Sequence, residues 1–93
     1  MAIKSFKCVD TESLFSGARV KRFVNIESVA MRKLAMLNHA GRLDDLRVHP
    51  GNRLEGLKGQ QSGLHSIRVN VQFCVCFRWT REGPADVEIV DYH

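Results

Sequence analysis

Asp91, Tyr92 and His93 stand in succession at the C-terminal end of the sequence: a carboxylate, a phenol and an imidazole. Each of these groups can move or steer a proton. The imidazole titrates near neutral pH, so His93 suits either a general acid or a general base. Metal-free scission of RNA needs little more. A base takes the proton of a ribose 2′-OH, the oxygen attacks the adjacent phosphorus in line, cations hold the charge that develops, and an acid protonates the leaving oxygen. Asp91 can orient the imidazole or act as the base, Tyr92 can stack on a nucleobase or donate a hydrogen bond, and Lys58 and Arg68 can supply positive charge. Each has a plainer role available. His93 can be a polar chain end, Tyr92 a packing aromatic, Asp91 the partner of a lysine, Lys58 a strand end, and Arg68 and Arg78 members of a solvated face.

Elements that hold such groups can be read from the apolar spacing. The run of Val87, Ile89 and Val90 predicts a last strand that docks the tail. Residues 64–70 alternate, with His65, Ile67 and Val69 on one side and Ser66, Arg68 and Asn70 on the other. Residues 73–79 alternate likewise, with Phe73, Val75, Phe77 and Trp79 opposed to Cys74, Cys76 and Arg78. Residues 54–58 read as a short strand, residues 3–8 as an edge strand with exposed lysines, and residues 81–84 as a turn. Short connections between the later strands imply antiparallel pairing.

On the helical side, Asp10 is placed to cap a short helix that Ser16 and Gly17 end. A basic patch of Arg19, Lys21 and Arg22 follows. Residues 25–39 form the main helix, with Ile26, Val29, Ala30, Leu34 and Leu37 in one stripe and Glu27, Arg32 and Lys33 mostly off it. Residues 42–47 make one short helical turn, and His49 to Asn52 a turn cluster. The expected fold is α+β: an N-terminal helical hairpin on one face of a four- to five-stranded, mostly antiparallel sheet. Arg68, Arg78 and the two cysteines then lie on the uncovered face, with Lys58 and the tail at its rim.

Composition narrows the classes. Ninety-three residues, 44% of them apolar, suit a single domain spanning 1–93. No apolar run is long enough to span a membrane, and residues 1–5 do not open a secretory signal, so a cytoplasmic location is the expectation. Three cysteines, two of them at Cys74 and Cys76, fit neither a disulfide framework nor a zinc set, and no metal or cofactor is expected. His39, His49 and His65 lack partners at ligand spacing and read as structural. A net charge of +4 permits an anionic partner without selecting one.

Several stretches together resemble the HigB-type toxins of the RelE/ParE superfamily, from bacterial toxin–antitoxin modules. They are residues 3–6, 32–34, the run Pro50-Gly51-Asn52-Arg53-Leu54-Glu55-Gly56-Leu57-Lys58-Gly59, residues 66–70, residues 76–79, and the ending Val87-Glu88-Ile89-Val90-Asp91-Tyr92-His93. The resemblance implies a metal-independent, ribosome-dependent endoribonuclease that cuts translated mRNA on the 70S ribosome. It also implies a HigA-like helix-turn-helix antitoxin, with operator DNA bound only through the complex. Lys58 matches the lysine at the scissile phosphate, and Asp91, Tyr92 and His93 match the C-terminal catalytic group. Arg68, Arg78, Glu55, Gln72 and position 74 fall among the RNA-contacting positions.

One segment departs from the pattern. Relatives usually read Asn-Asp-Gln-Trp-Arg where this chain has Asn70-Val71-Gln72-Phe73-Cys74. A neutral thiol cannot hold an anionic transition state as a guanidinium does. Loss of one such donor costs roughly 3–4 kcal/mol, or about two to three decades of rate, so the resemblance implies an attenuated toxin. Two other readings share the scaffold: an inactive toxin fold serving as co-repressor with its antitoxin, and a ParE-like inhibitor of DNA gyrase.

Overall fold

The computed structural model describes residues 2–56 and 63–91. Two helices, α1 (Val9–Phe15) and α2 (Glu27–His39), precede a four-stranded antiparallel sheet of β1 (Glu55–Gly56), β2 (Leu64–Arg68), β3 (Phe73–Thr80) and β4 (Gly83–Asp91) in sequential order. The helices cover one face. Leu14, Phe23, Ile26, Ala30, Leu34, Leu37 and Leu46 pack there against Ile67, Val75, Phe77, Val87 and Ile89. This is the α+β layout read from the alternation, and the strand parities hold.

The first segment does not form a strand of its own. A single parallel bridge joins Phe6 to Val87. Around it, Lys4 N–H donates to the Pro84 carbonyl at 2.7 Å, Val87 N–H to Ser5 at 3.1 Å and Lys7 N–H to Val87 at 3.0 Å. The segment therefore blunts the open edge of β4 without extending the sheet. Farther along that edge, Ile89 N–H donates to the buried Thr11 Oγ1 at 3.0 Å, so α1 caps the strand where the N-terminal segment has left it. Thr11→Val keeps the shape and removes the acceptor. It is expected to lower stability by about 1–3 kcal/mol, read as a shift in urea midpoint, with Thr11→Ser close to the parent.

Other boundaries differ for local reasons. Cys8, not Asp10, precedes the first helical residue, and Asp10 pairs instead with Arg22 at 3.1 Å. The main helix starts at Glu27, because residues Lys21–Ile26 wind as a 3₁₀ segment. Gly83 and Pro84 belong to β4. Pro84 is tolerated there because its missing N–H faces the edge rather than the ladder. A bulge follows: Cys76 pairs with Glu88 but Arg78 with Ala85, and Asp86 takes the extra position at φ 53°. The largest departure is Lys33, only 8% exposed where the helical wheel put it off the apolar stripe.

Candidate functional site

The uncovered face of the sheet holds a cavity of about 430 Å³ lined by Arg53, Glu55, Ser66, Arg68, Cys74, Cys76 and Val90. Strand register explains the set. Glu55, Ser66, Cys76 and Glu88 form one row across all four strands, and Arg68, Cys74 and Val90 form the next. Partners directly opposite share a face, so the pairing brings these side chains together without help from a loop. Arg53 enters from the turn before β1.

The arginine at position 53 has a left-handed backbone, φ 46° and ψ 55°, at the end of the 3₁₀ turn Pro50–Asn52. A non-glycine residue there is strained and persists only where neighbours hold it. The holder is Asn52, fully buried, whose Oδ1 accepts from Lys33 Nζ at 2.5 Å while its Nδ2 donates to the Leu46 carbonyl at 3.0 Å. Across the cavity, Arg68 Nε donates to the Asn70 carbonyl at 3.2 Å, which fixes the guanidinium over the floor. Asn70 also shapes the turn into β3, its Oδ1 accepting from the N–H groups of Gln72 at 2.8 Å and Phe73 at 2.7 Å.

The floor is the cysteine pair. Cys74 and Cys76 project from one face of β3 with their sulfurs 3.6 Å apart. One thiol donates a hydrogen bond to the other, so the ionisation of either bears on its neighbour. The hydrogen bond to Cys76 pushes the Cys74 thiol far up, aided by burial and by Glu55 and Glu88. The same bond holds Cys76 below the ordinary thiol range. Cys74 is 8% exposed, more enclosed than an outward-facing strand position suggests, because the cavity walls rise around it.

The remaining candidate residues are distributed as follows. Arg68, Glu55 and Cys74 meet in the cavity. Arg78 lies on the same face but in a neighbouring hollow, its guanidinium 3.7 Å from Asp86. Both partners are about half exposed, so that pair contributes little. Gln72 sits in the turn and donates through Nε2 to Asp91 Oδ2 at 2.9 Å. Asp91 ends β4 opposite Phe73, beyond the cavity lining. Lys58, Tyr92 and His93 lie outside the described residues, and with them the expectation that Lys58 and the tail sit at the rim of this face. The described chain ends leading to them stand at diagonal corners of the sheet. Gly56 and Asp91 are separated by three strand spacings and about four residues of rise, roughly 20 Å. Arg53 is the cavity residue that the alternation did not reveal. The one signal in the sequence was its place directly after a turn, two residues before Glu55.

Helices over one face of a short antiparallel sheet, with an arginine-bearing hollow on the other, are consistent with a RelE-like toxin. The comparisons with known proteins agree. The sequence model of the HigB-like toxins, described as the RelE-like toxin of type II toxin–antitoxin system HigB, matches residues 9–93. Toxin HigB-1 of Vibrio cholerae serotype O1 is 44% identical over 69 residues, covering 74% of this chain and 72% of that protein. An uncharacterized protein of Haemophilus influenzae is 40% identical over 55 residues, covering 59% of this chain and 54% of its own length. The chain belongs to the HigB-like, RelE-like toxins of type II toxin–antitoxin systems, a class whose members work against an antitoxin partner.

Proposed function

We propose that the chain is a ribosome-dependent endoribonuclease that cleaves translated mRNA by 2′-OH attack on the adjacent phosphate. The observation that carries this reading is the cavity on the uncovered sheet face, with Arg53 and Arg68 both lining it. Two arginines beside one hollow, against the single carboxylate of Glu55, suit a phosphodiester, whose equatorial oxygens gain charge in the transition state. Chemistry of this kind asks for proton carriers on either side of the phosphorus. In this reading Lys58 neutralises the phosphate, His93 transfers the proton to or from the ribose or leaving oxygen, Asp91 orients the tail through its bond to Gln72, and Tyr92 stacks on a base.

The partners follow from the same reading: a HigA-like helix-turn-helix antitoxin, the 70S ribosome with its mRNA, and operator DNA through the antitoxin complex. The working place is the cytoplasm. Among the described residues no helix is long and apolar enough to cross a membrane.

Primer extension on mRNA recovered after induction is the test. Codon-associated cuts are expected, and Arg68→Ala should reduce them by about tenfold, the loss of one charge-assisted phosphate contact. Growth arrest without cuts, together with lost supercoiling by gyrase, would overturn the nuclease reading in favour of gyrase inhibition. Tight operator binding with antitoxin, but no cuts even from Cys74→Arg, would leave a co-repressor.

A further inference from the structure

The cysteine pair has a geometry that neither RNA binding nor the fold requires. Cys74 and Cys76 lie two residues apart on one face of β3, both on the floor of the cavity, with Sγ···Sγ 3.6 Å. A direct disulfide does not suit them. Two residues of strand rise set their Cα atoms about 6.7 Å apart, at the far limit of what a disulfide spans, and the sulfurs would have to close to about 2.05 Å. One atom inserted between the sulfurs suits them well. With metal–thiolate bonds of about 2.3 Å, as zinc makes, a separation of 3.6 Å sets the bridging angle at about 103°, close to tetrahedral, with no movement of the strand.

The surroundings choose among thiophilic centres. Among the described residues no three metal-ligating side chains are already gathered, so a centre satisfied by two sulfurs is favoured over one that needs four protein ligands. Arg53 and Arg68 line the same cavity. With Glu55 on the same lining they still leave a net positive charge, which opposes a chelate that keeps positive charge and is indifferent to a neutral one. The cavity mouth leaves room for a substituent on the bridging atom.

We propose that Cys74 and Cys76 form a chelating dithiol site for a monosubstituted trivalent arsenical or an equivalent soft centre, closed by the 3.6 Å sulfur spacing on the cavity floor. The step balances without a redox partner. Each thiol gives its proton to one oxygen of the hydrated arsenical. Two arsenic–sulfur bonds form, two arsenic–oxygen bonds break, two waters leave, and arsenic stays trivalent. The proposal stands independently of RNA cleavage.

Phenylarsine oxide is the probe, with the folded full-length chain. Intact mass is expected to show one arsenical per chain, retained through a wash with excess monothiol and released by dithiothreitol. The melting temperature should rise, because the ligand holds the native spacing. Cys74→Ser and Cys76→Ser should each abolish retention. Cys8→Ser should leave it intact, since Cys8 lies apart at the start of α1, where Arg22 Nη2 is 3.2 Å from its sulfur. Failure of the parent chain to retain the probe would overturn the proposal, whatever the variants do. So would retention by Cys74→Ser, loss in Cys8→Ser, or a fall in melting temperature, which would mark binding to the unfolded chain.

Discussion

On the nuclease reading, replacing Cys74 with arginine is expected to raise mRNA cleavage by about two decades, the usual worth of one preorganised donor at a charged transition state. Position 74 lines the cavity floor beside Arg68, its register partner. A side chain there lies within reach of any phosphate that Arg53 and Arg68 hold. The residue now present cannot help. Its thiol is pushed far up by the bond to Cys76 and by burial, so it stays neutral at physiological pH. The site would receive a cation well: Glu55 and Glu88 both act electrostatically on position 74, offsetting the repulsion from Arg68. The two arginines already present temper the gain, which is why the upper end of the two-to-three-decade range is not expected. Primer extension after equal induction of parent, Cys74→Arg and Cys74→Ser measures it. Cys74→Ser should cut like the parent, because removing a neutral thiol removes no charge. A folded Cys74→Arg that cuts no better than Cys74→Ser would show that the missing guanidinium is not what limits this toxin.

That argument joins what the alternation revealed to what it could not. The parity of β2 and β3 separated the helix-covered residues from Arg68, Cys74 and Cys76 because a strand reports its faces every second residue, and burial of Ile67, Val75 and Phe77 follows it. Register was not legible. Nothing in the chain's order says that Glu55 stands opposite Ser66, or that a bulge at Asp86 sends Arg78 to a separate hollow with its own carboxylate. Arg53 was hidden for a related reason. Its orientation depends on a left-handed backbone set by the preceding turn, and no hydrophobic pattern encodes that. Lys33 misled because a helical wheel assigns a face by hydropathy, whereas the ammonium is drawn inward by an acceptor 19 residues later in the chain.

Asn52→Ala should show how much the site depends on that inward lysine. The change is expected to lower stability by about 3 kcal/mol, since a hydrogen bond to a charged group contributes about 1.5–3 kcal/mol and the Leu46 carbonyl also loses its donor. For a domain of this size the melting temperature should fall by roughly 15 °C. Lys33 carries much of the loss. Burial already lowers its pKa, with Arg32 adding to the effect, and without the Asn52 carbonyl the ammonium would be left buried and unpaired. Two further variants separate the terms. Lys33→Met alone removes the charge, and Lys33→Met with Asn52→Leu replaces both partners by apolar groups, which should recover at least half of the loss. Cleavage should not recover with it. Asn52 precedes the strained Arg53, and once its side-chain anchors are gone the arginine can leave the left-handed region. Thermal melts and primer extension on the same four proteins are the measurement. Stability and cleavage returning together in the double variant would mean that Asn52 holds the fold but does not place the cation.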